Sequence, residues 1–147
     1  MASFQNILAT TDFSEVGDHA LPTAFELAHL SGARVTLCHV VEAAGLRPNP
    51  LYPNYPADAL PTSAQRDADA RLHANLAHRI PEDMKERCAI AIGHGPVADE
   101  ILRIASEGDH DLIVIATMGT TGLLERVMGG TAYKVVRHAH CPVLIMR

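Results

Sequence analysis

Residues 118–131, MGTTGLLERVMGGT, carry the chain's clearest signal for chemistry. Four glycines, Gly119, Gly122, Gly129 and Gly130, precede the helical pattern TAYKVVRHA. Each glycine costs backbone entropy on folding, so a cluster of them calls for a compensating role. Glycines let a backbone turn sharply and approach a ligand closely. The free N–H groups of the helix that follows, and its dipole, then favour an anion. Thr120, Thr121 and Thr131 add hydroxyl donors. The chemistry this suggests is phosphate binding; the structural alternative is a strand-to-helix connection with no ligand. The segment is not a Walker loop, because no Gly-Lys-Ser/Thr closes it.

Three other stretches invite a chemical reading. TTDFSE (10–15) ends an apolar run and sets Asp12 beside Thr10 and Thr11. Asp12 is either a ligand group for a ribose, base or cation, or a turn aspartate with Ser14 as helix cap. GHGPVA (93–98) has the spacing of a dinucleotide fingerprint. That fingerprint belongs to the first βα turn and needs an acidic residue ending the next strand, where this chain has Ala116-Thr117, so a tight turn is the better reading. HAHC (138–141) groups His138, His140 and Cys141 without a matching pair elsewhere, and cations at a helix end are favoured by the dipole alone. His39, next to Cys38, reads as an in-strand residue. No G-x-S-x-G, no H-E-x-x-H and no framed Cys–His pair is present, so binding is expected rather than turnover; at most the chain is a slow ATPase.

These segments need a scaffold. Five apolar runs, at 6–11, 34–41, 87–93, 111–117 and 142–147, are short and apolar on both parities. Strands of a parallel sheet covered by helices on both faces read this way. Helical patterns lie between them at 14–31, 63–79, 96–107 and 130–139. Pro22 predicts either a kink in the first helix or a later start near Asp18. Alternation of this kind predicts an α/β fold with a five-stranded parallel sheet, helices on both faces and right-handed crossovers. Ligands then bind beyond the carboxyl ends of the strands. The segment 42–63 holds five of the nine prolines and follows the second strand on the ligand side. A loop this long reads as a lid, a partner surface or a locally mobile segment.

The 147 residues predict a single domain spanning 1–147, able to bury roughly 70% of the surface its unfolded chain exposes. With 48% apolar and 20% charged residues the composition is globular. A net charge of -5 and no Lys/Arg cluster argue against nucleic acid as a partner. No run approaches a membrane span and no targeting segment is visible, so a cytoplasmic protein is expected. The three cysteines, Cys38, Cys88 and Cys141, sit in or beside apolar runs and read as buried thiols.

NILATTDFSE at the start, DLIVIATMGTTG in the fourth strand and MGGTAYKVVRHAHCPVLIMR at the end resemble the universal stress protein family. The resemblance covers nearly the whole chain and is most specific over the last twenty residues. It implies a Rossmann-like, five-stranded α/β domain that dimerises through its last strand, here 142–147, and acts in stress response through a protein partner. One branch of the family binds ATP, marked by Gly, two residues, Gly, nine residues, Gly, then Ser or Thr. On that pattern Thr10, Thr11 and Asp12 would meet the base or ribose, and Val40 the adenine. Met118, Gly119, Gly122, Gly129, Gly130 and Thr131 would surround the ribose and phosphates, with Mg2+ accompanying ATP. Counted from Gly119 and Gly122, only six residues precede Gly129, and Gly130 takes the Ser/Thr position; counted to Gly130, seven residues precede it and Thr131 follows. Either count shortens the loop and predicts AMP or ADP beside ATP as ligand. The alternative is an interaction protein of the same fold with no nucleotide.

Overall fold

The computed structural model describes residues 3–42, 63–117 and 129–147. Five strands form one sheet: β1 (Asn6–Thr10), β2 (Arg34–Val41), β3 (Cys88–His94), β4 (Leu112–Ala116) and β5 (Val143–Met146). Their order is β3-β2-β1-β4-β5, and every neighbouring pair is parallel. The helices are α1 (Glu15–Asp18), α2 (Ala20–Ser31), α3 (Ser63–Ala77), α4 (Val97–Glu107) and α5 (Gly130–His138). A 3-10 turn spans Glu82–Arg87. The predicted α/β architecture and all five strands are therefore present.

Both faces of the sheet are buried, which is why the strands lack a polar parity. Ile7, Ala9, Val35, Leu37, Leu112 and Val114 point to one face, into a core shared with Ala24, Phe25 and Leu76. Leu8, Cys38, Val40, Ile113 and Ile115 point to the other, against Ile101, Ala105 and Val135. This is the two-residue period of a strand read from each side. The outer strand β5 is half-buried throughout.

The helix expected over 14–31 is split. Ser14 caps α1, accepting the Gly17 amide at 2.9 Å on its Oγ. A second helix starts at Ala20, so Pro22 falls in its first turn, where its missing N–H forfeits no intrahelical bond. Gly32 ends α2 in the left-handed region at φ 74°, its amide bonded to the Ala28 carbonyl. On α3, Leu76 is buried, Leu72 half-buried and Ala68 exposed, so the first turns of that helix stand clear of the core.

The chain runs from β1 outward through β2 to β3, then returns to place β4 on the opposite side of β1. That reversal opens a crevice beyond the carboxyl ends of β1 and β4. The proline-rich loop expected at 42–63 lies outside the described residues except for its two ends. No helix among the described residues is long and apolar enough to cross a membrane.

Candidate functional site

The crevice holds a cleft of about 660 Å³, bounded by the ends of β1, β2 and β4 and the starts of α4 and α5. Its size and position suit a small-molecule ligand. Val40, Ile115, Val97, Ile101 and Ala132 give it an apolar wall; Thr11, Thr117 and Thr131 supply hydroxyls; Asp12 and Glu42 supply carboxylates. Seven of the residues that the resemblance assigns to a nucleotide line it: Thr10, Thr11, Asp12, Val40, Gly129, Gly130 and Thr131. Met118, Gly119 and Gly122 lie outside the described residues.

The β1 end is held by a dense set of hydrogen bonds. The Thr11 amide continues the ladder to the Cys38 carbonyl at 2.9 Å. Thr11 Oγ1 donates to Asp18 Oδ1 at 2.7 Å and accepts the Phe13 amide at 3.0 Å. Its carbonyl oxygen lies 2.8 Å from His39 Nδ1. A carbonyl only accepts, so Nδ1 carries the imidazole proton. Burial pushes the Asp18 carboxyl up, but hydrogen bonds from Arg79 and Thr11 and the Arg79 charge outweigh it and leave it below the usual value.

Asp12 is aimed by its own turn. Its Oδ1 accepts the Ser14 amide at 2.9 Å and also the Ser14 hydroxyl. Asp12 is thus the turn aspartate, held by Ser14, and it also lines the cleft. Gly17 makes this possible, because a Cβ there would fall 2.0 Å from Oδ1.

Across the cleft, α5 begins at Gly130 behind an N-cap glycine, Gly129, with no side-chain cap. The first intrahelical bond runs from the Tyr133 amide to the Gly129 carbonyl at 3.0 Å, so the amides of Gly130, Thr131 and Ala132 precede it. A Cβ on Gly129 or Gly130 would meet nothing within 4 Å. Among the described residues, the backbone there is open.

Thr117, absent from the sequence prediction, also lines the cleft. Its amide bonds the Met146 carbonyl at 2.9 Å and so extends β4 past its last strand residue. The residue is 3% exposed, and its Oγ1 is buried with no hydrogen-bond partner among the described residues. A buried hydroxyl left without a partner is costly. This one lines the cleft. The only hint in the sequence was its place at the end of an apolar run.

Cys38 also lines the cleft, but burial pushes its thiol up to about 12 and it is no nucleophile at neutral pH. Cys88 and Cys141 are half-buried rather than buried, because they lie in or just before the two outer strands. His140 lies with Nε2 3.2 Å from the His110 carbonyl, and no group of three or more potential metal ligands gathers among the described residues. The GHGPVA stretch forms the turn between β3 and α4, with Gly95 at φ 133° and its amide on the Val41 carbonyl.

The sequence profile of the universal stress protein family matches residues 3–147. The chain belongs to the universal stress protein family. A universal stress protein of Thermus aquaticus is 30% identical over 98% of this chain and 99% of its own. Among solved structures, a universal stress protein in complex with cAMP superposes with a TM-score of 0.71 at 17% identity, covering 99% of this chain and 98% of that one. The universal stress protein of Archaeoglobus fulgidus in complex with dAMP gives a TM-score of 0.66 at 19% identity, covering 99% and 100%. At these identities the two structures establish the universal stress protein fold.

Proposed function

We propose that the cleft binds an adenine nucleotide and that the chain is a nucleotide-linked stress-response regulator. The observation that carries this reading is the Thr117 hydroxyl, buried at the cleft wall with no hydrogen-bond partner among the described residues, in a cleft that the uncapped start of α5 also lines. A phosphate or ribose oxygen satisfies that hydroxyl, and the α5 amides hold a phosphate without any cationic side chain. Val40, Ile115 and Ile101 suit the base, and Asp12 suits a ribose hydroxyl or an exocyclic amine. Family relatives solved with cAMP and dAMP support an adenine nucleotide as the ligand class. A Mg2+ ion arriving with ATP has oxygen donors of the right kind in Asp12 and Glu42.

A second register of the glycine motif fits the same reading. Taken from Ala116, two residues precede Gly119, and nine residues, 120–128, precede Gly129. Alanine then stands at the first glycine position, Gly130 at the Ser/Thr position and Thr131 is the nearest hydroxyl. On this register the loop has full length and ATP fits beside AMP and ADP. The structure's placement of Ala116 and Thr117 at the cleft wall favours it. Both registers put Gly129 and Gly130 at the start of α5.

The output of binding is a change in assembly. Among the described residues the β5 strand pairs with β4 alone and leaves its outer edge open at residues 143–146, which suits pairing with a second copy. Thermal unfolding with AMP, Mg-ATP and GTP tests the ligand class. A ligand at a hundred times its Kd stabilises by about 2.7 kcal/mol, a rise of roughly 5–10 °C for a domain of this size. A rise with AMP or ATP but not GTP supports the reading. No rise with any adenine nucleotide at millimolar concentration leaves the interaction protein without nucleotide as the function.

A further inference from the structure

Arg79 lies two residues beyond α3, remote in sequence from every cleft residue, yet it is bound into the β1 end of the site. Its Nε donates to Asp18 Oδ1 at 3.1 Å and Oδ2 at 3.2 Å. Asp18 Oδ1 in turn accepts the Thr11 hydroxyl, and Thr11 Oγ1 accepts the Phe13 amide. The guanidinium also lies over the Phe13 ring, 4.8 Å from its centroid, and the His39 ring lies 4.3 Å from the same ring. His39 closes the circuit by donating to the Thr11 carbonyl.

The circuit holds a backbone that would not stay there unaided. Phe13 has φ 64°, in the left-handed region, where a bulky residue with a Cβ is strained. That conformation lets the chain turn between Asp12 and Ser14, so that Asp12 Oδ1 meets the Ser14 amide and hydroxyl. Arg79 and Thr11 grip the strained residue at its ring and its amide, and His39 holds the Thr11 carbonyl two residues before it. The grip also docks the C-terminal end of α3, whose only buried side chain among those described is Leu76.

We propose that Arg79 is a positioning residue of the nucleotide cleft: by holding Asp18 and the Phe13 ring it fixes Thr11 and the turn that aims Asp12. The proposal rests on the adenine-nucleotide reading and adds to it a residue outside the cleft. It makes the docking of α3 and the binding of ligand energetically linked, because both require the same turn.

The test combines AMP titration with amide exchange on four variants: Arg79→Met, Arg79→Lys, Thr11→Val and the Arg79→Met/Thr11→Val double variant. Methionine keeps the packing of the stem and removes the fork. Arg79→Met is expected to weaken AMP binding about fivefold, with Arg79→Lys recovering part of the loss through the Asp18 charge. In the Thr11→Val background Arg79→Met is expected to add no further loss, since the link it acts through is already cut. In the ligand-free protein the Phe13 amide is expected to exchange faster in Arg79→Met and in Thr11→Val. AMP affinity unchanged in Arg79→Met, an equal loss in both backgrounds, or an unaltered Phe13 amide overturns the proposal. If the wild-type chain binds no adenine nucleotide, the proposed function falls, and the Phe13 amide alone decides whether Arg79 positions the turn.

Discussion

A Cβ at position 17 would sit 2.0 Å from Asp12 Oδ1 and 3.0 Å from Ser14 Oγ. The glycine in α1 and the aspartate after β1 are thus two halves of one arrangement. Gly17→Ala is expected to push the Asp12 carboxylate off its turn. The overpacking costs about 1–3 kcal/mol, offset in part by alanine's better helix propensity, so the fold survives. Adenine-nucleotide affinity is expected to fall about tenfold, 1.4 kcal/mol, which a binding titration reads directly. Unchanged affinity would separate Asp12 from the ligand.

His110 makes stability depend on pH at the opposite end of the sheet. It is 4% exposed; Nδ1 donates to the Ala105 carbonyl at 3.3 Å, which leaves Nε2 of the neutral ring to accept the Thr36 hydroxyl 2.9 Å away. Burial holds its pKa below the ordinary 6.5; the Ala105 and Ile104 carbonyls and Asp111 oppose that shift, and His140 adds to it. A depressed folded pKa means that the unfolded chain takes up the proton first as pH falls below about 6.5. Stability is therefore full above that pH and declines below it, toward the folded pKa. Urea unfolding at pH 7.5 and pH 5 is expected to show this loss in the wild type and a smaller one in His110→Gln. Equal losses in both would remove His110 as the cause.

The outer edge of β5 predicts self-association. Sedimentation equilibrium at micromolar concentration is expected to give a dimer. Only monomer would mean that the half-buried residues 143–146 meet solvent or another partner.

The sheet was legible because its inner strands bury both faces and its outer strand is apolar on both: NILAT, LIVIA and VLIM need no knowledge of their neighbours to be recognised. The 3-10 turn at Glu82–Arg87 was not, since EDMKER buries only Met84 and shows no period. Half the cleft was readable from local chemistry, namely a glycine pair before a helix and an aspartate after a strand. Thr117 and Gly17 were missed for a different reason. Thr117 looks like any strand-end threonine until β5 covers its backbone and α5 lies across the cleft. Gly17 looks like a weak helix residue until Asp12 folds over it. Arg79 lies sixty-one residues from the aspartate it holds. These roles are non-local, and no spacing along the chain encodes them.

The most direct test of nucleotide binding is an equilibrium titration of the wild-type chain and Thr117→Val with AMP, using GMP as the comparison. Valine keeps the shape of the side chain and removes the orphaned hydroxyl. The account predicts that the wild type binds AMP in preference to GMP. It predicts that Thr117→Val binds AMP about tenfold more weakly, while the ligand-free variant is more stable by about 1 kcal/mol because no buried donor is left unpaired. Opposite signs for affinity and stability mark a group kept for a ligand. Equal AMP affinity in the two chains, or no binding to either at millimolar concentration, would contradict the account.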